Sequence, residues 1–228
     1  MSTRRGFLIG SAQVSALAML TPTGLFAMPA LTSPPIVLGC GLWGEEKFVA
    51  SLGSRLAMYG QPAPEQVALN ATQLRSPNQI SALLKSLQGR RLVGYLDSSS
   101  VLILTQLLHG QGGEIWLEGD HAVAATGLSR HHFTSTPSSA GIGQSLAASL
   151  DRSGQPYTVE VRQIGLASES RLAAPSVSAT HWATALGSHY ADILSERWNA
   201  RDDAPKHGGT TDNNTQFARL ASTFIAKL

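Results

Sequence analysis

Arg91-Leu92-Val93-Gly94-Tyr95-Leu96-Asp97-Ser98-Ser99-Ser100-Val101-Leu102-Ile103-Leu104 is the stretch that decides the fold class. Arg91 to Leu96 reads as a strand. Asp97-Ser98 caps a helix from Ser99 to about His109, where Gly110 and Gly112-Gly113 stop it. Ile115-Trp116-Leu117-Glu118 then meets His121 to Ala125 across Gly119-Asp120, a two-residue hairpin signal. A polar, Ser/Thr-rich stretch, Ser129 to Ser139, separates this unit from a helix over Ile142 to Leu150. Tyr157 to Val161 follows as a strand. The order strand, helix, hairpin, helix, strand predicts a βαββαβ core over about 91–162. In that arrangement a mixed or antiparallel sheet is covered on one face by two helices, and the fold class is α/β or α+β. A doubly wound parallel sheet is the rival reading.

Upstream, Ile36-Val37-Leu38 reads as a short buried strand behind a proline-rich joint, Pro29 to Pro35. Phe48 to Leu52 and Arg55 to Tyr59 predict two more strands, divided by Gly53-Ser54, before a loop at Gln61-Pro62-Ala63-Pro64. Ser76 and Pro77 open a helix carrying Ile80, Leu83, Leu84 and Leu87 at helical spacing, and Gly89 ends it. Downstream, Thr180 caps an amphipathic helix from His181 to about Arg197. The composition of 201–215 predicts a mobile segment, and a C-terminal helix is expected over Phe217 to Leu228.

The first 27 residues read as an address. Arg4-Arg5 precedes Phe7-Leu8, an almost uncharged apolar stretch runs to Phe26, and Leu25-Phe26-Ala27 is a small-residue end. This resembles the twin-arginine (Tat) class of signals, whose route carries folded proteins across the bacterial inner membrane. The resemblance implies the Tat translocase as a partner, a periplasmic location and one exported domain over 28–228. Gly10, Ser11, Gln13 and Ser15 dilute the apolar stretch, so a permanent transmembrane anchor is not expected. Val37-Leu38-Gly39-Cys40 resembles a lipoprotein box and offers a second, less favoured cleavage point, at Cys40.

The net charge of +2 equals the contribution of Arg4 and Arg5, and no other charged residue precedes Glu45. The remaining chain is close to neutral and lacks a basic run, which argues against nucleic acid as a partner. One cysteine among 228 residues excludes an internal disulfide.

Gly39-Cys40-Gly41-Leu42-Trp43-Gly44 behind the first strand has the glycine spacing of a dinucleotide-binding turn, with Gly39, Gly41 and Gly44 as the cofactor-binding candidates. Glu65 stands about where a ribose-binding acid is sought. His121, His131 and His132 with Glu118 are candidate metal ligands, because imidazole and carboxylate suit zinc and related ions. Gly143-Gln144-Ser145-Leu146-Ala147 imitates a nucleophile elbow but lacks its final glycine. Asp97-Ser98-Ser99-Ser100 fits a helix cap, and the same hydroxyls at a helix start suit an anion. Trp182, Tyr190 and Trp198 on the late helix read as core, with a face for a protein partner as the alternative.

No catalytic motif is complete. The sequence therefore favours an exported accessory or binding protein that serves a redox or metalloenzyme system. The alternatives are a nucleotide-dependent oxidoreductase using 39–44 and a metal-dependent hydrolase using His121, His131 and His132.

Overall fold

Strand β1 (Ile36–Gly39) is followed by helix α1 (Glu45–Met58) and strand β2 (Glu65–Ala68), which returns parallel to β1. This is a computed structural model that describes residues 33–124, 128–136, 139, 141–152, 157–164, 169–174, 182–197 and 217–228. The signal-like segment 1–27, Thr180, His181, Trp198 and the segment 201–215 lie outside the described residues.

Helices α2 (Ala71–Leu74) and α3 (Pro77–Ser86) lead to β3 (Arg91–Leu96), which pairs with the other side of β1. Then come α4 (Ser98–Gly110), β4 (Glu114–Ala124), β5 (Ser129–Ser135), α5 (Ile142–Arg152), β6 (Tyr157–Gln163), β7 (Glu169–Ala174), α6 (Trp182–Leu194) and β8 (Phe217–Lys227). The strands form one sheet in the order β2-β1-β3-β8-β4-β5-β6-β7. Pairs β1–β2, β1–β3 and β5–β6 are parallel, while β3–β8, β4–β8, β4–β5 and β6–β7 are antiparallel. The sheet is mixed, as the α/β or α+β reading requires.

Strand alternation sorts the core onto two faces. Val93 and Tyr95 of β3 join Phe48 and Leu52 of α1, Leu146 of α5 and Trp182 and Tyr190 of α6 in one apolar cluster. Leu92 and Leu96 point the other way, to Ile80 and Leu84 of α3 and Leu104 and Leu108 of α4. The element order βαββαβ over 91–162 is present, but its geometry differs from the expectation. Strand β8 inserts between β3 and β4, and α4 and α5 cover opposite faces.

Four local readings are corrected. Phe48 to Leu52 and Arg55 to Tyr59 are not two strands; their residues fall in α1 up to Met58, because Phe48, Val49, Leu52 and Leu56 share one buried helical face. Gly53 is no breaker there: a side chain at this position would touch Pro64. Gly119-Asp120 is not a turn but the interior of β4, where a β-carbon on Gly119 would crowd Thr223, His121 and Phe133. The polar stretch from Ser129 forms β5, and Phe217 to Lys227 is a strand and not a helix. Strand β8 is buried on both faces over Ala221–Ala226, which removes the alternation that marks a strand.

Candidate functional site

At the end of β3 the chain turns directly into α4. Asp97 fixes this junction, its Oδ1 accepting from the Ser100 N–H at 3.0 Å and its Oδ2 from the Ser100 hydroxyl at 2.5 Å. Ser98 and Ser99 therefore sit in the first turn of α4 and lie against the edge of the strand row. Ser98 Oγ is 2.8 Å from Ser222 Oγ on β8, and the Ser222 hydroxyl donates to Asp120 Oδ1 on β4 at 2.5 Å. Register continues this row: Ser222 stands opposite Asp120, Asp120 opposite His132, and His132 opposite Glu160.

The apolar packing of α3 and α4 draws on β1, β3 and β8. Farther along the same face the sheet turns polar, with Glu118, Asp120, His132, Thr134 and Glu160. A cleft of about 390 Å³ opens here, lined by Ser98, Ser99, Val101, Leu102 and Thr105 of α4, Glu118 to Asp120 of β4, His132 and Thr134 of β5 and Ser222 of β8. A second hollow of about 260 Å³ shares Asp120 and His132 and reaches Arg130 and Glu160. The first cleft lies where α4 leaves the carboxyl end of β3, a position that ligands favour in open α/β sheets. Burial, then the neighbouring Asp120 charge, raises the Glu118 carboxyl above its ordinary range.

The four candidate metal ligands do not meet. Glu118 and His132 face this cleft, whereas His121 and His131 project from the opposite face of the same strands into the apolar core. There His121 Nδ1 is 2.9 Å from His131 Nδ1, His121 Nε2 is 2.8 Å from Thr223 Oγ1, and Tyr190 OH is 2.5 Å from the same Thr223 oxygen. Trp182 stacks on His121 with ring centroids 5.1 Å apart. Burial depresses both imidazoles, His121 well below its ordinary value and His131 to about 3, so both are neutral. Among the described residues no group of three or more His, Cys, Asp or Glu is arranged to hold a metal ion.

The glycine-rich turn does open a helix. Gly41 and Gly44 adopt left-handed φ values of 78° and 86°, and α1 starts at Glu45. However, the turn is filled by the chain itself. Glu45 Oε2 accepts from the N–H groups of Cys40, Gly41 and Leu42 at 3.2, 2.8 and 3.1 Å, and the carboxylate packs where a side chain on Gly39 would stand. A phosphate would need those same donors. Glu65 is also misplaced for a ribose: it starts β2 opposite Ile36, at the far end of the strand from the turn, and pairs with Arg90 at 3.1 Å.

The remaining candidates have structural partners. Ser145 lies within α5, which starts at Ile142, and not at a strand-to-helix turn, so it is no elbow. Trp182 and Tyr190 are fully buried, so neither is presented to a protein partner. A contact that sequence reasoning missed joins Ser149 Oγ to His189 Nε2 at 2.9 Å, with His189 Nδ1 3.8 Å from Asp192 Oδ2. The atom order is that of a nucleophile, base and acid. Yet Ser149 lies inside a helix, and Asp192 is held by Arg55 at 2.8 Å and Tyr59 at 2.5 Å. These bonds tie α1, α5 and α6 together. Asp192 is consequently held below the usual carboxylate range: burial opposes this, but the bonds from His189, Arg55 and Tyr59 outweigh it.

The cleft residues Asp120, Ser98 and Ser222 were not singled out by sequence as one site. A signal for part of it existed: Glu118 and Asp120, then Arg130, His132 and Thr134, then Glu160 and Arg162 are polar at every second position, the mark of an uncovered sheet face. No known family model, curated protein or solved structure matches this chain. Among the described residues no helix is long and apolar enough to cross a membrane.

Proposed function

We propose that this chain is an exported, periplasmic accessory or binding protein, and that the cleft between α4 and strands β4 and β5 is where it holds a small polar ligand for a redox or metalloenzyme system. The observation that carries the reading is the row Ser98, Ser222 and Asp120. Ser222 spends its single proton on Asp120, so the Ser98 hydroxyl donates to Ser222. Both hydroxyls are thereby oriented in advance, which suits recognition because little ordering remains to be done on binding. Tat-type export fits a protein that completes its sheet and cleft before crossing the membrane.

The nucleotide alternative has one feature in its favour, the parallel β1-α1-β2 unit behind Gly39, and one against it, the Glu45 carboxylate in the turn. The test is purification of the exported protein from its native host, with mass spectrometry of what accompanies it. A co-isolated partner or small molecule that is lost in Asp120→Asn is the expected result. A lone monomer with catalytic turnover unaffected by Asp120→Asn would sink the proposal.

A further inference from the structure

We draw no further inference here: the strongest candidate, the cleft between α4 and strands β4 and β5, belongs to the site already described, and nothing in the structure shows which class of ligand its acidic pair, Glu118 and Asp120, would take.

Discussion

His121 Nδ1 lies 2.9 Å from His131 Nδ1, so one of the two rings carries a proton there and the other does not. Neither ring is exposed, and Phe133 and Trp182 pack against His121. Burial in the apolar core depresses both imidazoles, and the neighbouring His131 lowers His121 further.

The pair makes stability depend on pH with a definite sign. In the unfolded chain both histidines titrate near 6.5, whereas in the folded chain His131 does so at about 3 and His121 well below its ordinary value. The unfolded state therefore binds protons that the folded state refuses. Full stability is present above about pH 6.5 and is lost progressively as the pH falls below it, the His131 share continuing down to about 3. Urea unfolding at pH 7 and pH 4.5 measures this, and His131→Phe should reduce the slope to about half. An unchanged free energy over that interval would count against the buried neutral pair.

Glu45 closes the glycine-rich turn by accepting from three backbone N–H groups. Replacing it by alanine leaves those donors to solvent and should cost about 1 to 2 kcal/mol, since bonds to a charged acceptor are stronger than neutral ones. The variant should also gain a thermal shift from millimolar phosphate that the wild type lacks. A phosphate shift in the wild type would show that Glu45 yields the turn, and would revive the nucleotide alternative.

Gly187 is where α6 crosses α1. A β-carbon there would strike the Phe48 carbonyl oxygen, which is backbone and cannot rotate away. At Gly143 the obstacle is the Val161 side chain, which can move. Gly187→Ala should therefore destabilise by roughly 3 kcal/mol and by more than Gly143→Ala, as a urea midpoint comparison would show. The reverse order would mean that α1 and α6 separate at little cost.

What was legible in the sequence is what local chemistry determines. Asp97, the serines after it and the glycines beyond His109 announce α4 without reference to any distant residue. Pro77 does the same for α3, although the Ser76 side chain makes no capping bond. Strand β8 could not be read this way, because its partners Arg91 to Leu96 and Glu114 to Ala124 lie about a hundred residues upstream, and burial on both faces erased its alternation. Losing β8 also hid Ser222, and with it the link between Ser98 and Asp120. The polar alternation of β4, β5 and β6 was visible, but the Gly119-Asp120 pair drew it into a turn. His131 and His132 are adjacent in sequence and still serve opposite faces, since successive strand residues point apart.

The position of Cys40 bears on processing. Lipid attachment at this residue would require cleavage just before it, which removes Ile36 to Gly39, the whole of β1. That strand pairs with both β2 and β3, and Ile36, Val37 and Leu38 are at most 1% exposed. Burying three such side chains contributes roughly 5 to 9 kcal/mol, comparable with the entire stability of an ordinary domain. A chain beginning at Cys40 should therefore fail to fold, whereas one beginning at Met28 should give a cooperative urea transition. Circular dichroism and limited proteolysis distinguish the two. A cooperatively folded chain from Cys40 would show that β1 is dispensable and would restore the lipoprotein route, whereas a chain from Cys40 that stays unfolded counts against lipid attachment there.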